Sequence, residues 1–204
     1  MFGPEVLEEF DSPFGGRIRL MQGWGYKYVA TGILTQSGGV IEDVWRPLLK
    51  KIGQKNKTWL ILGLGAGTVA HMISKKYSPK AIVGVEIDPI MLDLGRRHFD
   101  LNAIPNLDII QGDASQPSNW KTVQLRNFDY ILVDLYLGDQ LPKFVYARPF
   151  LRRLRQLGQT VVFNHLFYDA AKRQAAEGLV AATQQIFTSV TLVRSLTNVL
   201  IVCS

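Results

Sequence analysis

The chain has 204 residues, 47% of them apolar and 20% charged, with a formal net charge of +6. Such a length buries a sizeable core within one compact α/β unit, and the composition excludes collagen-like, low-complexity and disordered classes. No apolar run approaches the roughly 18 residues of a bilayer span, and no basic start runs into an apolar stretch that would mark export. No membrane association is therefore expected, and the expected location is cytoplasmic. The single cysteine, Cys203, excludes an internal disulfide and a cysteine-based zinc site, and His71, His98 and His165 are too scattered for H-x-x-x-H spacing; no metal is expected. Lys50-Lys51, Lys75-Lys76 and Arg152-Arg153-Arg155 read as solvated helix faces. With no helix-turn-helix, aromatic RNA-binding motif or arginine tract beside them, no nucleic-acid partner is expected.

In chain order, Met1–Gly16 reads as irregular. Arg17–Gln36 follows as a β-hairpin region, punctuated by Gly23 and Gly25 with Tyr26, Tyr28 and Val29 as strand formers. Residues 1–39 are thus expected to form a short β extension, and residues 40–204 the main domain. Exposed Trp24 and Tyr26 on that hairpin would offer a surface for pairing two chains, so a homodimer is one expected assembly. Helix Val40–Ile52 precedes the first core strand; its Glu42 and Asp43 read as surface residues and its Trp45 as a buried one.

The most informative stretch is Trp59–Asp88. Leu60-Ile61-Leu62-Gly63-Leu64-Gly65-Ala66-Gly67 is an apolar strand running into a loop with glycine at alternate positions. Such a loop turns sharply and lets its backbone approach a ligand closely. A second strand, Ala81–Val85, ends at Glu86, ~20 residues beyond the loop, where a carboxylate accepts the hydroxyls of a ribose. Position 68 is Thr where the dinucleotide fingerprint wants glycine, and no G-K-[ST] pair exists to hold phosphate. A ligand with ribose and adenine but no phosphate fits best, and S-adenosylmethionine (SAM) and its relatives meet that description. The bland alternative is a tight turn that uses glycine for packing alone.

Further on, helix Ile90–Asp100 leads to the strand Leu107–Gln111 and then Gly112-Asp113. Ligands of an open α/β sheet lie beyond the carboxyl ends of its strands, so Asp113 would share the crevice of the glycine loop and accept from an adenine amino group, or serve as a turn cap. The buried run Phe128–Val133 delivers Asp134 to the same edge, followed by Tyr136 and Asp139. An acid there can orient an amine and take its proton. Helix Arg148–Leu157, strand Thr160–Asn164, helix Ala170–Ile186 and strands Ser189–Ser195 and Asn198–Val202 complete the pattern. The tight turn between the last two strands implies one antiparallel strand in an otherwise parallel sheet. His165, at the end of the fifth core strand, is either a base near the cleft or a residue satisfied by backbone groups.

Gly63-Leu64-Gly65-Ala66-Gly67-Thr68, Gly84-Val85-Glu86-Ile87-Asp88-Pro89, Gln111-Gly112-Asp113-Ala114 and Phe128-Asp129-Tyr130-Ile131-Leu132-Val133-Asp134 follow one another in an order that resembles the spermidine synthase (polyamine aminopropyltransferase) family. That family is a branch of the class I SAM-dependent methyltransferase fold. The resemblance implies a three-layer, Rossmann-like α/β fold with a seven-stranded, mostly parallel sheet and an antiparallel strand near its carboxy terminus. It further implies SAM or decarboxylated SAM as the nucleoside substrate and a small-molecule amine as acceptor. On this basis Gly63, Gly65, Ala66, Gly67, Glu86, Ile87, Asp113 and Ala114 would hold the nucleoside, and Asp134 would handle the attacking amine. Tyr136, Asp139, Gln36 and Trp45 would line the acceptor side. The chain departs from the family pattern at Ala66 and Leu137, where the family has acids, and at Trp45-Arg46-Pro47. Its basic balance also sits awkwardly with a polycationic substrate. Three functions remain open: aminopropyl or related transfer to an amine, methyl transfer from SAM to a small molecule, and a non-catalytic SAM-fold protein.

Overall fold

The computed structural model describes residues 3–116 and 127–204. The chain begins with a four-stranded antiparallel meander of β1 (Glu5–Ser12), β2 (Gly16–Gly23), β3 (Tyr26–Thr31) and β4 (Leu34–Gly38). The first strand corrects the expectation of an irregular amino terminus. Its alternation is blurred by Glu5, Glu8 and Glu9, yet its backbone pairs along β2, with Phe10 opposite Ile18. Ladder bonds, which leave no mark on side-chain pattern, make this strand. The turn from β2 to β3 is the two-residue Trp24-Gly25, with φ of 50° and 84°, the positive values that match the twist of a tight hairpin.

The second sheet alternates with helices: α1 (Val40–Ile52), β5 (Thr58–Leu62), α2 (Thr68–Tyr77), β6 (Ala81–Glu86), α3 (Pro89–His98), β7 (Leu107–Gln111), β8 (Phe128–Val133), α4 (Arg148–Leu157), β9 (Gly158–Leu166), α5 (Ala170–Gln184), β10 (Val190–Ser195) and β11 (Asn198–Cys203). The strand order is β10-β11-β9-β8-β5-β6-β7. Strands β5 to β9 run parallel, and β11 lies antiparallel between β9 and β10. The antiparallel strand is the one expected from the tight turn at Leu196-Thr197, and the seven-stranded sheet is the one that the resemblance implies.

Strand periodicity divides the core into two faces. Leu60, Leu62, Ile131, Val133, Val161 and Phe163 pack against α4 and α5. Trp59, Ile61, Tyr130, Leu132 and Val162 pack against α1 and α2. A smaller cluster of Ile18, Leu20 and Val29 with Ala66, Met91 and Leu94 fastens the meander onto the glycine loop and α3. Pro47, inside α1, removes the N–H that would bond the carbonyl of Asp43. The hydroxyl of Ser195, at the end of β10, donates to that carbonyl at 3.1 Å instead, so the interruption also ties α1 to the edge of the sheet.

Candidate functional site

The carboxyl ends of the parallel strands open on a cleft of about 850 Å³, roofed by the β1–β2 turn, β3, β4 and the start of α1. Its volume lies within the range of about 300–1,000 Å³ common for ligand sites. Gly63 and Gly65 line it. Their missing Cβ atoms, however, make room for protein: one on Gly63 would run into the carbonyl oxygen of Asp134, and one on Gly65 would lie 2.8 Å from Ser37 Oγ. Gly67 (φ 97°) opens α2, and a Cβ there would meet Leu101 at 2.5 Å. Ala66 is wholly buried and donates its N–H to Ser37 Oγ at 2.9 Å. Neither Ala66 nor Gly67 borders the cleft. The alternate glycines therefore thread the loop between β4, β8 and α3, and only part of the loop faces a ligand.

Glu86 ends β6 inside the cleft, almost fully buried. Its Oε2 accepts from the N–H of Gly65 at 2.7 Å and its Oε1 from that of Asp88 at 2.9 Å. Burial raises the Glu86 carboxyl above its ordinary range, with these backbone donors opposing the shift. With backbone donors from Gly65, Ile87 and Asp88 on the carboxylate, its remaining lone-pair capacity is available to a ligand hydroxyl. Asp88 caps α3 by accepting from Ile90 N at 2.9 Å, and also accepts from Ser12 Oγ. Ser12 in turn accepts from the N–H groups of Phe14 and Gly15. Through this chain of bonds the β1–β2 turn is docked on the cleft rim, where Phe14 and Ile18 join the lining. Asp113 lies in the same cleft beside Ile87 and Ala114. Its carboxylate also accepts from the N–H and hydroxyl of Ser115, at 2.7 Å each, so the turn role and the cleft position coexist.

Across the cleft, Asp134 follows β8. Its Oδ2 accepts from the indole N–H of Trp45 at 3.1 Å and its Oδ1 from Asn164 Nδ2 at 2.9 Å. Asn164 Oδ1 accepts from Asn198 Nδ2 at 2.8 Å, and Thr197 donates to Asn198 Oδ1 at 2.9 Å. The carboxylate is thus fixed from α1 and β9, with β11 holding Asn164 in place, and Asp134 lines the cleft. Burial pushes its pKa up to about 6, against the pull of the Asn164 and Trp45 donors. Tyr136 follows, lining the cleft while its hydroxyl donates to the carbonyl of Asn164 at 2.9 Å.

A methyltransferase-domain family model matches residues 60–156, from β5 into α4. A polyamine aminopropyltransferase of Vibrio vulnificus is 31% identical over 98 residues, which is 48% of this chain and 33% of that protein. A probable spermidine synthase of Corynebacterium glutamicum superposes with a TM-score of 0.75 at 16% identity, covering 98% of this chain and 80% of that one. Human methyltransferase-like protein 13, solved in complex with SAH, gives 0.61 at 19% identity over 78% of this chain and 74% of that one. The chain has the spermidine synthase-like form of the class I SAM-dependent methyltransferase fold. The match spans only about a third of the length of the Vibrio relative.

Within this spermidine synthase-like fold, the residues expected on the acceptor side separate. Gln36 and Tyr136 line the cleft. Trp45 does not: it is fully buried and reaches Asp134 from behind. Asp139 does not either, because Lys172 Nζ holds its carboxylate at 2.7 Å and donates to its carbonyl at 2.5 Å. That ammonium also holds the Asp139 carboxyl below its ordinary range. His165 points away from the cleft, with Nδ1 against the carbonyl of Leu166 and Nε2 against the hydroxyl of Tyr146. Burial lowers its pKa, in keeping with a satisfied core histidine. The cleft lining also takes in Asn198, Lys143 and Ser37, which the sequence does not single out. Asn198 alone carries a local signal, as the polar residue that opens the apolar strand β11.

Proposed function

We propose that the chain is a SAM-type transferase, in which Gly63, Gly65, Glu86, Ile87, Asp113 and Ala114 hold the nucleoside of SAM or decarboxylated SAM. Asp134 then positions an acceptor amine. In this reading residues 1–39 cover the cleft of a catalytic domain over residues 40–204. The observation that carries it is the Asp134 carboxylate, held rigidly by Trp45 and Asn164 on the cleft lining, opposite Glu86 and Asp113. An alkylamine has a pKa near that of lysine, about 10.4, and arrives protonated. A carboxylate near 6 is ionised at neutral pH yet more basic than an ordinary one. It anchors the ammonium and accepts one proton. The freed nitrogen lone pair attacks the carbon beside the sulfonium, and the C–S bonding pair leaves on sulfur, giving a neutral thioether. Placement in line supplies most of the remaining rate enhancement.

Methyl transfer from SAM itself is the second reading. It is favoured by Lys143, the one lysine, arginine or histidine among the described residues of the cleft lining, which offers a partner to the SAM carboxylate. Calorimetry with methylthioadenosine and S-adenosylhomocysteine, followed by transfer assays with both donors and product mass, tests the two together. Absence of nucleoside binding at millimolar concentration would remove both. Pairing of two chains through Trp24, which is 71% exposed and stacked on Tyr28, is a further proposal that light scattering decides.

A further inference from the structure

We infer that the acceptor half of the cleft takes a nucleophile carrying a single amine on an apolar body, in preference to a diamine or polyamine. This deepens the transferase reading and rests on it. The ionisable groups of the cleft lining are unevenly shared. Glu86, Asp88 and Asp113 sit at the ends of β6 and β7, whereas Asp134 is the single acid, among the described residues, that the β8–β9 side contributes. On this side the lining is uncharged apart from Asp134 and Lys143 among the described residues: Ile41 and Val44 from α1, Leu137 from the loop and Leu166 from β9 are apolar, and the hydroxyls of Tyr136, Tyr168 and Thr197 are hydrogen-bonded to other protein groups. Of the polar neighbours, Asn164 donates to Asp134 and accepts in turn from Asn198.

The other acids of this region are withheld. Glu42 and Asp43 on α1 both pair with Arg46, at 3.1 and 3.3 Å. Asp139 pairs with Lys172 at 2.7 Å. None of the three lines the cleft, and among the described residues the one cation that does is Lys143. A first ammonium finds Asp134. A second would meet an apolar wall and a like charge, and a buried unpaired charge is strongly disfavoured. An alkyl tail gains instead about fourfold in affinity for each methylene it buries.

The test compares hexylamine with 1,6-diaminohexane, equal in length and differing in the second amine, using decarboxylated SAM and separately SAM with the full chain. Hexylamine is expected to exceed the diamine at least tenfold in kcat/KM, and to exceed butylamine as well. Leu137→Asp places a carboxylate on a half-exposed residue of the lining. It should raise diamine use at least fivefold and lower hexylamine use, with nucleoside binding confirming that the variant is folded. A diamine preferred by, or equal in, the parent chain would overturn the inference and leave the transferase reading standing. Binding of the nucleoside with no transfer to any amine from either donor would overturn the transferase reading, and this inference with it.

Discussion

Asp134→Asn separates the electrostatic cost of Asp134 from its contacts. In the folded chain this carboxyl titrates at about 6 against an ordinary 3.8. A raised pKa means that the fold favours the neutral form. The corresponding stability is complete below the unfolded value and is lost as pH rises through about 6. The shift amounts to at most about 3 kcal/mol, since the edge on the cleft is partly solvated. The asparagine variant does not titrate. Its amide leaves Trp45 or Asn164 facing an N–H instead of an oxygen, a cost that is the same at every pH and cancels in the comparison. Relative to the parent chain, the variant should therefore gain up to about 6–12 °C in Tm between pH 4 and pH 8 for a chain of this size, most of it between pH 4 and 6.5. Thermal melts of the ligand-free proteins across that range are the assay. A gap that stays constant, or a parent chain that gains on the variant as pH rises, would refute the assignment of a desolvated, ionised Asp134. In the transfer assay the same substitution should lower turnover by about 10²–10⁴, the usual loss for a general base.

Glu86→Ala removes the acceptor of the Gly65 and Asp88 N–H groups together with the proposed ribose contacts; calorimetry should show S-adenosylhomocysteine binding weakened at least ~10-fold, and an unchanged affinity would relocate the nucleoside. Gly63→Ala forces a Cβ onto the Asp134 carbonyl at a φ of 87°, so a loss of about 3–5 kcal/mol in urea unfolding is expected. Trp45→Phe deletes a donor that favours the ionised form of Asp134. The acid limb of the pH–rate profile should move up by about 0.5–1 unit, a displacement that a merely structural Trp45 would not produce. Asp139→Asn should leave transfer within about twofold, because Lys172 already occupies that carboxylate, and a tenfold loss would return Asp139 to the acceptor site.

The parallel sheet and its antiparallel strand were legible because a strand buried on both faces, such as Leu60–Leu62 or Tyr130–Val133, writes a continuous apolar run, and the turn at Leu196-Thr197 is too short for a crossover. Glu86 and Asp134 are legible for a related reason: an acid at the end of such a run has to emerge at the carboxyl edge. Asp113 is legible from the Gly112-Asp113 turn that follows the shorter, partly buried strand β7. The acceptor side is less legible, for a different cause. The resemblance puts Asp139 and Trp45 there, but their orientation is set by partners far away in sequence, Lys172 from α5 and Asp134 from β8. The glycines depend on distant partners in the same way. The neighbours that exclude a Cβ at Gly63, Gly65 and Gly67 come from Asp134, Ser37 and Leu101, and no local pattern announces them. β1 was missed because its pairing is carried by backbone groups.

The basic balance of the chain and the acidity of its cleft then stop being at odds. A net charge of +6 describes the whole surface, whereas the cleft lining presents Glu86, Asp88, Asp113 and Asp134 against Lys143 among the described residues. Exposed cations such as Arg46 act locally by drawing Glu42 and Asp43 away from the α1 rim, and Lys172 does the same for Asp139. At about 0.15 M salt the screening length is ~8 Å, so the distant surface contributes little inside the cleft. On the proposed reading the surface charge bears on how fast ligands arrive, while Asp134 bears on which of them are retained. Raising ionic strength should accordingly weaken any long-range effect on association while leaving the inferred preference between one amine and two in place; a preference that disappears with salt would refute its assignment to groups within contact distance.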